Sequence, residues 1–220
     1  MSPTVEQEVQ PAWQNYLDLN QDLLPWLLAK PPIPAEEARL MTRVGGMACT
    51  WVQNYLARAV APTTFFRRFS GWSGLNGTYI ALPYYPVLEV KKVEEFWGIS
   101  GPHVLTEQTP AKQGTSEMFQ LVPLTGMLIR TFQGLVQRPF FPGSRNIEVT
   151  WVAGYDPIPD DIMVATLELA KHWWVNTFQA ARDITPPGEY DTMLQGGPMF
   201  PGVPDRCRML LAPYTQVGIG

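Results

Sequence analysis

The sequence predicts an α+β chain in which two amphipathic helices bracket a run of short strands, with extended arms at both ends. Three observations lead there. Apolar residues recur at steps of three and four through residues 34–60 and again from residue 160 to about residue 182, which is the spacing of one helix face. Between them, residues 63–152 change to period two and are punctuated by glycine and proline, the pattern of strands and turns. Outside them, residues 1–33 and 183–220 are interrupted by proline too often to hold one long element.

Residues 1–33 read as a leader. In "AWQNYLDLNQDLLPWLLAK", Trp13, Tyr16, Leu17, Leu23 and Leu24 fall at helical spacing, but Pro25 and "KPPIP" divide the pattern, so short helical pieces packed on a neighbour are expected. The core, residues 34–182, opens with "PAEEARLMTRVGGMACTWVQNYLARAV". Pro34 suits a first helical position, and Glu36 and Glu37 meet the positive end of the helix dipole. Leu40, Val44, Ala48, Trp51, Val52, Tyr55 and Ala59 form its apolar face, and Pro62 ends it. Gly45 and Gly46 each cost about 1 kcal/mol inside a helix, which implies close approach of another backbone, or a kink.

Strands are expected in "TTFFRRFSG", "GTYIALP", "PVLEVKKVEEFWG", "EMFQLVP", "GMLIRTF" and "RNIEVTWVAG". In the last, Ile147, Val149 and Trp151 point to one face while Glu148, Thr150 and Val152 point to the other. Residues 99–116, "ISGPHVLTEQTPAKQGTS", hold turn formers without periodicity and read as a long mobile loop. The second helix, "PDDIMVATLELAKHWWVNTFQAARD", is expected to be capped by Asp160 or Asp161 and to bury Ile162, Ala165, Leu169 and Trp173. Residues 183–220 form the final arm. It carries Met193, Leu194, Met199, Phe200, Met209, Leu210, Leu211 and Tyr214 among six prolines. That is too apolar for a free disordered segment and too rich in proline and glycine for a domain, so it reads as an arm that orders on a partner. Within it, "DRCRMLLAPY" suits a short helical turn, and Arg206, Arg208, Leu210, Leu211 and Tyr214 are the candidate partner-binding residues.

Composition narrows the function. The 220 residues are 45% hydrophobic and only 16% charged, against about 25% charged in an average soluble domain. Eight tryptophans, eight tyrosines and ten phenylalanines give more adhesive surface than a free monomer tolerates, which points to subunit interfaces. The net charge of −4 and the scattered lysines and arginines argue against gripping nucleic-acid phosphates. The first ten residues lack the basic and apolar regions of a signal peptide, and no apolar run approaches the roughly 20 residues of a membrane span. Cys49 and Cys207 lie far apart and match no metal-ligand spacing. A reducing, cytoplasm-like compartment is the expectation.

Catalytic parts are scarce. The two histidines are His103, in the loop, and His172, one residue from the helix stripe. Asp160 and Asp161 sit at a helix start, where acids are favoured without any chemistry. Glu94 and Glu95 are neighbours on a strand and point to opposite faces. "GWSGLNG" and "GMLIRTFQG" match neither a P-loop nor a dinucleotide fingerprint, and "SGWSG" lacks the spacing of a nucleophile elbow. No catalytic residue, cofactor or metal is expected, and the chain does not read as an enzyme.

The order of motifs is informative beyond their individual weight. "VQNYLARAVAP" closes the first helix; "LPYYPVLEVKKVEEFWG", "GMLIRTF" and "RNIEVTWVAGYDPIPDDIMVATLELAKHWW" follow. Over residues 38–182 this resembles the head-to-tail connector (adaptor) proteins of tailed bacteriophages. The resemblance implies a mainly α fold, a helical bundle with a small inserted β-hairpin region and extended N- and C-terminal arms. It also implies a virion neck protein, assembled in the host cytoplasm, whose copies form a ring, a dodecamer, beneath the portal. Its partners would be the portal protein and the tail-side connector or tail proteins, with DNA only as passing cargo and no membrane. The rival reading is an aromatic-rich module of a phage tail that binds carbohydrate or a protein partner.

Overall fold

The period-two region between residues 63 and 153 builds far more sheet than the mainly α expectation allowed. In the computed structural model, which describes residues 15–27, 33–71, 77–98, 101–108, 117–132, 136–179 and 202–215, eight strands join one sheet. The fold is therefore mixed, and the helical bundle with a small β insertion is overturned. The chain divides into two compact units, one of which holds Arg58–Asp156, while the other holds Trp13–Ala57 and Pro157–Gly220.

In the β unit the strands are β1 (Thr63–Phe69), β2 (Tyr79–Ala81), β3 (Val87–Phe96), β4 (Pro102–Glu107), β5 (Glu117–Val122), β6 (Met127–Phe132), β7 (Val136–Gln137) and β8 (Ile147–Ala153). Their order is β1-β8-β3-β4-β5-β6-β2, with β7 also pairing β6. The β4–β5 pair is parallel, and the other pairs are antiparallel. Alternation along β8 is as the sequence predicts: Ile147, Val149, Trp151 and Ala153 are all buried. Phe65 stacks between Tyr84, at 4.4 Å, and Trp151, at 5.5 Å, and the Trp151 indole donates to Tyr84 O at 3.2 Å.

Part of the expected 99–116 loop is strand. β4 starts at Pro102, where the missing N–H costs no ladder bond, and Leu105 is its single buried side chain. One buried residue in six gives no visible alternation, so the strand was not legible. Residues 99, 100 and 109–116 lie outside the described residues.

The helical unit starts with a π turn, Leu19–Leu23, followed by α1 (Leu24–Leu27). Asp18 caps the turn by accepting from Asn20 N and Gln21 N, both at 2.8 Å. Helix α2 runs Ala35–Leu56. It stops ahead of Pro62 because Ala57 turns left-handed, φ 51°. Helix α3 (Asp160–Trp173) continues as a π turn, Trp174–Gln179. Its cap residue is Pro159, with no side-chain cap, so Asp160 and Asp161 serve the dipole in the first turn and do not cap. Helix α4 (Asp205–Leu211) and a 3₁₀ turn, Ala212–Tyr214, complete the unit. Leu23, Val44, Ala48, Val52, Ile162, Leu169, Cys207 and Leu211 are all at most 2% exposed and form its core. The two glycines of α2 differ: a Cβ on Gly45 would lie 2.7 Å from Leu23 Cδ1, whereas one on Gly46 would meet nothing nearer than Asn15 Nδ2 at 3.9 Å.

Candidate functional site

Helix α4 carries four of the five residues singled out as partner-binding, the 3₁₀ turn after it carries Tyr214, and the structure gives them different tasks. Pro204 fixes the helix start and Asp205 occupies its first turn. Over seven residues one face turns inward, so Cys207 and Leu211 are fully buried. Leu211 thus anchors the chain's own helical unit, which sets it apart from the free docking side chain expected of it. Leu210 is half-buried. Arg206 pairs with Glu168 of α3 at 3.3 Å while 74% of its side chain stays in solvent, a geometry worth less than about 1 kcal/mol. Arg208 lies 3.9 Å from Asp205. The Tyr214 hydroxyl donates to Asp161 Oδ2 at 3.5 Å. Met209, counted among the apolar residues of the arm but not among its candidate partner-binding residues, is 75% exposed. The outer face of α4 therefore presents Arg206, Arg208 and Met209, two cations around one apolar side chain. The rest of the expected arm, residues 183–201 and 216–220, lies outside the described residues.

A second group of polar residues sits inside the β unit. Glu95 and Arg130 have side chains 0% and 5% exposed, and Arg130 Nε lies 3.0 Å from Glu95 Oε1, an ion-pair distance without hydrogen-bond alignment. Arg130 also reaches Glu117 Oε2 at 2.7 Å and donates to Pro139 O at 3.2 Å. Glu95 accepts from the Trp97 indole at 3.1 Å and from Phe141 N at 3.2 Å. β3 and β6 stand three places apart in the sheet, about 14 Å if it were flat, so their contact shows that the sheet coils round its inner face. Glu94, its neighbour in sequence, is also buried but lies on the opposite face of the strand, as alternation requires, and pairs with Lys92 at 2.8 Å. Each charged member of this cluster is paired with an opposite charge within it, and Arg130 Nε alone makes no hydrogen bond. Sequence reading missed it, since no local pattern links residue 95 to residue 130.

The remaining candidates are dispersed. His103 stacks on Trp97 at 3.8 Å within β4, and His172 bonds Asn176 one turn on, at 3.0 Å. Cys49 donates to Asn15 Oδ1 at 3.1 Å, and burial pushes its thiol up to about 11. Burial, reinforced by Glu168, pushes Cys207 up to about 11 as well. Neither is a ready nucleophile. Among the described residues no three His, Cys, Asp or Glu side chains group as a metal site, and no helix is long and apolar enough to cross a membrane. Trp151, Trp173 and Trp174 are at most 5% exposed, which removes them from any sugar-stacking surface.

No protein-family model matches the sequence, and no curated protein sequence does. Solved structures do. A chain in the neck of an empty gene transfer agent (GTA) particle, computed with C6 symmetry, superposes with a TM-score of 0.62 at 15% identity, covering 97% of this chain and 96% of that one. A chain from the virion of the native particle gives 0.54 at 18% identity over 90% of both. A chain from the native neck, computed with C12 symmetry, gives 0.52 at 15% identity over 82% of this chain and 84% of that one. At these identities the likeness establishes a shared fold, and that fold is one found in the necks of phage-like particles.

Proposed function

We propose that the chain is a structural subunit of the neck of a phage-like virion, a head-to-tail connector whose copies form a ring, a dodecamer, between the portal and the tail-side proteins. The observation that carries this reading is the fold shared over 97% of the chain with a protein of a GTA neck. Its low charge content and its net charge of −4 agree with a ring that lets DNA pass without holding its phosphates. Large apolar side chains left in solvent, such as Leu124 at 79%, Met209 at 75% and Val136 at 58%, suit a protein that works among neighbours. The outer face of α4, with Arg206, Arg208 and Met209, is the candidate surface toward the portal. The work is mechanical, and no step of it requires a catalytic residue or cofactor.

Electron microscopy of portal rings from the same particle, with and without the full chain, tests the proposal. The expected result is an added ring on the tail-side face that shares the portal's axis. Portal rings left unchanged by saturating chain would sink the connector reading.

A further inference from the structure

Two turns meet at one end of the β unit. Residues 82–88, "LPYYPVL", and residues 122–126, "VPLTG", contain no charged side chain. Backbone bonds lock them together, Leu82 N donating to Gly126 O at 2.8 Å and Val87 N to Pro123 O at 2.9 Å, while Gly126 N to Val122 O at 2.9 Å closes the second turn on itself. Gly126 has φ +66°, and a Cβ there would crowd Leu82 O at 3.1 Å. This frame displays Leu124 at 79% exposure, with Leu88 at 43%. A rigid, uncharged turn that holds an apolar side chain in water has little order left to lose on binding, and its composition is that of an interface centre.

The helical unit holds a matching hollow. A cleft of about 680 Å³ runs along α2, lined by Gly46, Met47, Trp51, Trp173 and Val203 among others, with Arg43 as its one charged lining residue. Gly46 is the telling residue. A Cβ on Gly45 would press on Leu23 Cδ1 at 2.7 Å, whereas one on Gly46 would meet only Asn15 Nδ2, at 3.9 Å, and yet glycine there costs the helix about 1 kcal/mol relative to alanine. The missing side chain keeps the cleft floor clear.

We propose that the Pro123–Leu124–Thr125 turn of one copy inserts into the α2 cleft of the next, with Leu124 over Gly46. The choice of a second copy as occupant rests on the ring reading. Met47, Trp51, Trp173 and Val203 offer an apolar lining to Leu124, and the Asn15 side-chain amide N–H of the same cleft offers a hydrogen bond to the backbone of the turn. Knob and hollow are different surfaces, so the contact is heterologous: every copy gives one and receives one, and the series closes into a ring when the rotation permits.

Two variants of the full chain test this by native mass spectrometry across a concentration series. Leu124→Asp destroys the knob at an exposed position, and Gly46→Trp fills the hollow where there is room; unchanged circular dichroism verifies that both fold, and Gly46→Leu replaces the second if α2 is disturbed. The wild type is expected to form higher oligomers and each variant alone to remain monomeric. An equimolar mixture is expected to stop at a one-to-one pair, because the intact knob of one variant meets the intact hollow of the other and no further contact is possible. Assembly of either variant as in the wild type, or a mixture that stays monomeric, overturns the contact. So does a wild type that remains monomeric throughout; the ring reading would then still stand or fall by the portal experiment.

Discussion

Glu95 is completely buried, and its charge is balanced by a cation that reaches it across the inner face of the coiled sheet. Replacing Arg130 with Met keeps most of the volume but leaves Glu95 and the half-buried Glu117 without their counter-ion. The expected loss is about 3–5 kcal/mol in urea denaturation, as for other broken buried pairs. A loss under about 1 kcal/mol would show that Trp97 and the Phe141 amide hold the carboxylate unaided. Cys49 gives a pH-dependent counterpart. Burial raises its folded-state pKa from 9.0 to about 11, so the folded state keeps its proton after the unfolded chain has lost it. Stability from this thiol is therefore complete below pH 9 and drains away as pH climbs toward 11, by about 2–3 kcal/mol in all. The difference between wild type and Cys49→Ala, measured from pH 8 upward, removes the slope of the lysines and distant tyrosines and leaves that of Cys49 with the Tyr16 hydroxyl coupled to it, and a flat difference would refute it. The burial of Trp151 and Trp173 was legible in the sequence because period and phase assign it locally. The Glu95–Arg130 pair was not, because it depends on strand order and on how far the sheet coils.

Elements were legible to the extent that their neighbours repeat along the chain. Helices α2 and α3 were predicted because each buries a regular stripe, and six of the strands from short apolar runs bounded by turn formers; β4 and β7 bury too little to leave such a signal. The end of α2 shows how a backbone detail escapes pattern reading. Proline at residue 62 is the conspicuous stop signal, yet the helix ends at Ala57, a non-glycine in the left-handed region. Ala57→Gly should relieve that strain, which costs about 1–2 kcal/mol, and return part of it as unfolded-state freedom. A net stabilisation of about 0.5 kcal/mol is expected by denaturant titration, and destabilisation would show that the αL conformation is not strained here. On α4 the division between anchor and surface is equally testable. Leu211→Ala should cost about 2–5 kcal/mol, whereas Met209→Asp, at a side chain 75% exposed, should leave the melting temperature within about 2 °C. Equal effects from the two would mean that the inward face of α4 is misassigned.

At the scale of the molecule, helix, strands, helix was the chain order anticipated, but the share of sheet was underestimated. The resemblance to a helical connector family weighed more than the six strand patterns that were already visible. Where the β unit begins and ends also matters. Thr63 pairs with Ala153, Tyr155 N donates to Val60 O at 2.9 Å, and Gly154, φ +140°, lies so close to Ala61 that a Cβ would come within 2.5 Å of its carbonyl oxygen. Residues 58–156 should therefore fold when expressed alone, with a cooperative thermal transition and dispersed amide resonances; a chain without either would show that the sheet depends on the rest of the protein. The chain thus leaves the sheet beside the place where it came in. One continuous stretch of sequence encodes the whole sheet, flanked by a single seam, so that a different β module spliced at that seam would exchange every surface the sheet displays while the residues on either side keep their own reading of the chain.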